Sequence, residues 1–185
     1  MIWITSDIHF CHNKEFLYKP RGFDSIEAMN EAVLKNWNDR VSNDDEVYCL
    51  GDLVLSNTEK GIELIKQLNG KIHIIRGNHD SDNRIILYKE LPNVVEVVDA
   101  KYLKYNGYRF FMTHYPCMTD TLQNYGGLKN CLCNLYGHTH QKTNFYNEIP
   151  FIYHVGLDSH NCAPVSIDEV IRDMEAKVEE LVNIE

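Results

Sequence analysis

The chain has 185 residues, of which 44% are hydrophobic and 24% charged, with a formal net charge of −9. That length suits one domain, residues 1–185, burying about 70% of its unfolded surface, and no apolar run approaches the ~20 residues that span a bilayer. The acidic balance argues against tight, sequence-independent binding to a nucleic-acid backbone, but a small phosphate substrate stays open because bound cations can reverse the local field.

In chain order, "MIWIT" reads as a buried strand. It lacks the basic region and long apolar segment of a signal peptide, so a cytoplasmic protein is expected. Asp24 and Ser25 can cap a helix over 26–40, with Ile26, Met29, Val33, Leu34 and Trp37 on one apolar face. "EVYCL" is the second strand, a helix follows around 59–68, and "KIHII" is the third strand before a short helix over 83–91. Then "VVEVV", "KYLKY" and "RFFMT" read as strands, with Asn106-Gly107 as a hairpin turn between the last two. "CNLYG" and "FIYHVG" are further strands, and Ser166 with Glu169 forms a capping box for a closing helix. Ile167, Val170, Ile171, Met174, Val178 and Leu181 are its expected buried face. The pattern predicts an α/β (α+β) domain of two packed sheets flanked by helices, with the strands of the second half mostly antiparallel.

The ligand-type residues follow the same order. Asp7 and His9 come after the first strand, Asp52 after the second, and Asn78, His79 and Asp80 after the third. His114 ends "FFMTH", and His138 and His140 end "NLYGHTH". Strand ends are where open α/β sheets gather ligands, and pairs two apart point the same way if the backbone is extended. A lone "GD" or "GNH" is only a turn. Five strand ends supplying histidines, aspartates and an asparagine exceed one tetrahedral zinc and suit two carboxylate-bridged cations, which can clamp the attacking and leaving oxygens of a phosphoryl displacement. The six cysteines are irregularly placed, and "CLC" at 131–133 lacks the spacing of a zinc knuckle or redox motif.

The ordered set "DIH…GD…GNHD…H…GHTH", over Asp7 to His140, resembles the calcineurin-like metallophosphoesterase superfamily. "SDIHFCHN", "NWNDRV" and "VGLDSHNCAPVS" are similar to a small bacterial and phage subgroup. The resemblance implies a two-layer β-sandwich and a dinuclear centre. Asp7, His9 and His140 would hold one metal, Asn78, His114 and His138 the other, and Asp52 would bridge them. A metal-bridging hydroxide would attack phosphorus in line. His79 would stabilise or protonate the leaving oxygen, and Asp80 could orient its imidazole. The metals would be Mn, Fe, Zn, Ni or Co, with manganese expected in vitro.

Around this set other residues have two readings. His12 either contacts phosphate or supports His9, or else is a plain exposed histidine; Arg21 either binds phosphate or belongs to a solvated basic loop. His73 reads as structural, and Asp158 as a turn former. Cys11 stands where the subgroup usually has glycine, which puts the position of His12 in question. The expected function is hydrolysis of a small phosphomonoester or phosphodiester, with a nuclease or cyclic-nucleotide phosphodiesterase as the alternative. A non-catalytic scaffold would have lost ligands, and none is missing. The loops at 10–22 and 115–130 are the expected sources of specificity.

Overall fold

The computed structural model describes residues 1–120 and 127–182. Part of the 115–130 loop, including Gly126, thus lies outside the described residues. The elements run β1 (Ile2–Thr5), α1 (Glu15–Tyr18), α2 (Ile26–Arg40), β2 (Glu46–Cys49), α3 (Thr58–Ile65), β3 (Lys71–Ile75), α4 (Asp82–Lys89) and β4 (Val94–Val98). After these come β5 (Lys101–Tyr105), β6 (Tyr108–Met112), β7 (Leu132–Tyr136), β8 (Ile152–His154), β9 (Val165–Ser166) and α5 (Ile167–Val182).

The strands form two sheets, in the orders β4-β3-β2-β1-β9 and β5-β6-β7-β8. Side chains alternate along each strand and so divide the core in two. On β1, Trp3 joins Val47, Cys49, Ile72 and Ile74 in a cluster completed by Met29, Val33 and Trp37 of α2, Ile65 of α3 and Tyr88 of α4. Its neighbour Ile4 faces the other way, with Tyr48 and Ile75, into a second cluster with Phe110, Met112, Leu135 and Ile152 of the second sheet. Val170 and Met174 of α5 close that cluster. The first sheet is covered on both sides because β1, β2 and β3 each have apolar residues for both faces. The result is the expected two-layer sandwich flanked by helices.

Helix α2 begins at the predicted cap, where the Ser25 hydroxyl accepts from the Ala28 amide at 3.1 Å. The capping box also forms: the Glu169 amide donates to Ser166 Oγ at 3.2 Å, and the Ser166 amide to Glu169 Oε2 at 2.9 Å. Asn106 and Gly107 take positive φ of 48° and 86°, which a tight hairpin between β5 and β6 demands.

Two expectations are corrected, and one short strand had no counterpart among them. The second sheet is mostly parallel: β5–β6 is antiparallel, but β6–β7 and β7–β8 are parallel. Long connections after β6 and β7 carry the chain back to the starting edge, as parallel neighbours require. The two-residue β9, antiparallel to β1, is too short to leave a periodic signal. Leu181 is exposed rather than buried, because the covered face of α5 ends at Val178. No helix among the described residues is long and apolar enough to cross a membrane.

Candidate metal centre

Parallel pairing levels the strand ends. Thr5 lies opposite Cys49, and Cys49 opposite Ile74, so the chain leaves β1, β2 and β3 side by side at one edge. β6 and β7, also parallel, deliver His114, His138 and His140 from the second sheet. The residues after the strands are not extended. Asp7, His9, Asp52, His138 and His140 all have φ between 49° and 67°, so the paired residues converge through left-handed turns rather than through the pleat. L-residues adopt this backbone at a cost that surrounding contacts must offset.

Those contacts hold Asp7 and Asp52 firmly. Asp7 is fully buried; its Oδ2 accepts from the Ser6 hydroxyl and from the His138 amide at 2.8 Å. A side chain at Gly137 would run into that same oxygen, so only glycine lets the two chain segments meet. Asp7 Oδ1 is left buried with no hydrogen-bond partner, 3.8 Å from both His9 Nε2 and His140 Nε2. Asp52 Oδ1 accepts from the His79 amide at 2.8 Å. Its Oδ2 lies 3.7 Å from His9 Nε2 and 3.5 Å from His114 Nε2. One carboxylate oxygen therefore faces both groups of imidazoles.

The histidines present lone pairs to the same space. His114 Nδ1 is 2.7 Å from the Leu50 carbonyl, which can only accept, so the proton belongs on Nδ1 and Nε2 faces inward. His140 Nδ1 donates in the same way to Asp158 Oδ2 at 2.8 Å. Burial, reinforced by neighbouring His140 and Arg21, holds His9 well below the ordinary histidine range, so its ring is neutral. His138 is also lowered, by burial and then by His114. Burial pushes Asp52 up despite the opposing pull of His114. His9 Nε2 and His140 Nε2 are 3.1 Å apart, and Asn78 Oδ1 is 2.9 Å from both His114 Nε2 and His138 Nδ1. Acceptors crowded this closely fit a shared cation: around an ion with bonds of about 2.1 Å, adjacent donors lie roughly 3.0–3.4 Å apart. Asp7, His9 and His140, and likewise Asp7, Asp52 and His114, bring donor atoms within 4.8 Å of one another.

The model of the calcineurin-like phosphoesterase superfamily domain matches residues 1–156. The chain belongs to that superfamily. It is 37% identical over 191 residues to an uncharacterised protein of Methanocaldococcus jannaschii, covering 98% of this chain and 96% of the relative. A gene 66 protein of Mycobacterium phage D29 is 26% identical, with 94% and 97% covered. A protein of unknown function from Aquifex aeolicus shares the fold, with a TM-score of 0.69, 23% identity, and 93% and 98% of the two chains covered.

Within this superfamily framework the other candidates take distinct places. His79 lies at the mouth of the centre with its side chain 43% exposed and Nε2 4.0 Å from Asp52 Oδ2. Asp80 does not orient that imidazole. Its buried carboxylate accepts from the Asp52 and Gly77 amides, at 2.8 and 2.9 Å, and from the Tyr88 hydroxyl at 3.0 Å. The turn after His79 reverses the side-chain direction, so Asp80 ties two strand ends together from behind. His12 lines the cleft, its ring 5.6 Å from that of His9.

Arg21 is not a phosphate contact in the cleft but a clamp beneath it. Its Nε and Nη2 donate to Asp158 Oδ1 and Oδ2 at 2.9 and 2.7 Å. Nη2 and Nη1 also reach the Asp7 and Ile8 carbonyls at 2.8 and 3.2 Å. Asp158, read from sequence as a turn former, thus links Arg21 to His140. Burial alone would raise the Asp158 carboxyl, but hydrogen bonds from His140 and Arg21 prevail and hold it well below the carboxylate range. Burial lowers His140, but the hydrogen bond to Asp158 and the charges of Asp7 and Asp158 prevail and raise it, with Arg21 opposing them.

The cysteines stay outside the centre. All six are free. Burial pushes the Cys133 thiol up to about 12 and raises Cys131, so the "CLC" pair carries protonated core thiols. Cys11 has φ of 67°, the conformation its usual glycine would take freely, and packs on Asn30, whose side chain bonds its amide at 3.2 Å. Left-handed backbone costs an L-residue about 1–2 kcal/mol, and burying so small a side chain returns about 1 kcal/mol. Cys11→Gly is therefore expected to change stability by less than about 1 kcal/mol and to leave metal content intact, as urea denaturation and metal analysis would show. A variant that lost its metal would place the thiol in the centre.

Proposed function

We propose that this chain hydrolyses a small phosphoester at a two-cation centre. Asp7, His9 and His140 hold one cation, Asn78, His114 and His138 the other, and Asp52 joins them. The observation that carries this reading is Asp52 Oδ2, which lies within 3.7 Å of His9 Nε2 and 3.5 Å of His114 Nε2 and so serves both groups. Bound there, the cations would acidify water and neutralise charge on a phosphoryl group.

The chain's own residues account for the rest. Leu50 and Asp158 fix the tautomers of His114 and His140, so both rings offer Nε2 lone pairs. The Ser6 hydroxyl and His138 amide occupy one oxygen of Asp7 and leave the other to bind. His79 is held by its backbone, its amide donating to Asp52 and its carbonyl accepting from Arg84 Nη1 at 2.6 Å. Its imidazole is free to give a proton to the departing oxygen.

The test is metal analysis of freshly purified protein together with hydrolysis of nitrophenyl phosphate mono- and diesters. About two cations per chain are expected, by the ligand count of such centres, with turnover that Asp7→Asn or His9→Ala abolishes along with the metal. Absence of turnover on both ester classes, after loading with Mn, Fe, Zn, Ni and Co in turn, would defeat the reading.

A further inference from the structure

The metal centre forms only the floor of a larger cleft of about 670 Å³, a volume typical of sites for small organic ligands. His9, Asp52, His79, His138 and His140 line that floor. The rest of the lining is of another character, with Phe16, Leu17, Pro20 and Leu55 giving it an apolar stretch. Beside these apolar residues the cleft is also lined by His12, Lys142 and Asp158. Lys142 is the single lysine lining the cleft, and the Arg21 guanidinium is turned away beneath it.

Phe16 owes its position to its neighbours. Leu17 and Tyr18 of α1 are 5% and 7% exposed and fasten this short turn into the core, while Phe16 stays 73% exposed. Its ring meets His12 edge-on, with centroids 5.6 Å apart and planes at 86°. With 73% of its surface exposed, the phenyl ring remains open to a further partner. A large apolar side chain held in water beside a polar centre gains most from a flat apolar partner.

We propose that the substrate is a phosphoester whose organic part carries an aromatic ring, with Phe16 as the side chain that selects it. The inference rests on the phosphoester reading and adds the class of the esterified group. The phosphoryl group sits over the histidines and carboxylates; the ring packs against Phe16 and Leu55. Phe16, Leu17, Pro20 and Leu55 themselves offer polyphosphates and sugar phosphates no hydrogen bond.

Binding can test this without turnover. Manganese-loaded protein is titrated calorimetrically with phenylphosphonate, methylphosphonate and inorganic phosphate, none of which has an ester bond to hydrolyse. Phenylphosphonate is expected to bind up to about tenfold more tightly than the other two, the range of one aromatic contact. Phe16→Ala should bring the ratio close to one, and Phe16→Trp should restore it. Equal affinities in the unaltered protein, or a preference that survives Phe16→Ala, would overturn the inference while leaving the phosphoester reading in place. No binding of any of the three ligands would overturn both.

Discussion

Arg21→Ala is expected to lower folding stability by about 3–5 kcal/mol, the cost of removing one partner from a buried ion pair. The pair is well shielded, with side-chain exposures of 1% for Arg21 and 10% for Asp158. Removal takes the charged partner from the Asp158 carboxylate, which keeps its His140 hydrogen bond, and the donors from the Asp7 and Ile8 carbonyls at once. Arg21→Lys should not restore the loss, because one ammonium cannot match the fork that spans both oxygens of Asp158. Urea denaturation of metal-free protein isolates this effect from cation binding. The depressed Asp158 carboxyl sets the pH dependence: its contribution is present above the ordinary value of about 4 and is lost as pH falls below it, so the two proteins should converge in acid. Cation affinity should fall roughly 10–100-fold, as when an outer partner of a ligating histidine is lost. A stability change under about 1 kcal/mol would show that the clamp is incidental.

His79→Ala should retain its cations and lose roughly 10²–10⁴ in kcat, the usual share of a positioned proton donor. Retention is expected because the centre's close contacts come from other side chains, while His79 Nε2 stands 4.0 Å from Asp52 Oδ2 and is substantially exposed. The loss should depend on the leaving group. Nitrophenolate departs readily without a proton, so nitrophenyl esters should suffer least and alkyl esters most. Equal losses across both, or a loss of metal, would assign His79 to the centre's structure instead of to proton transfer.

Much of this site was legible because its residues directly follow apolar strands, and an apolar strand announces itself. Asp7, Asp52 and Asn78 each come within three positions of β1, β2 and β3. Residues that work through distant partners left no such mark. Asp158 and Arg21 lie 137 positions apart, and each alone has an ordinary surface reading. Asp80 misled for the opposite reason: adjacency to His79 suggested contact, but neighbours in a tight turn point apart. The left-handed backbone at Asp7, His9, His138 and His140 was also hidden, since none is a glycine and only Cys11, at a usual glycine position, hinted at it. Parallel pairing in the second sheet depends on where long connections run, and their composition does not say.

The donor set is divided between the layers. The first sheet supplies Asp7, His9, Asp52 and Asn78, and the second supplies His114, His138 and His140. On the proposed reading neither layer alone would complete a cation's coordination, so a bound centre would work as a rivet through two plates. The apolar filling between the plates, with Ile4 and Tyr48 meeting Phe110 and Leu135, then acts as a spacer that sets the gap the rivet must cross. Close-packed interiors transmit small volume changes instead of absorbing them. Side chains that touch neither metal nor substrate are in this sense the gauge of the site.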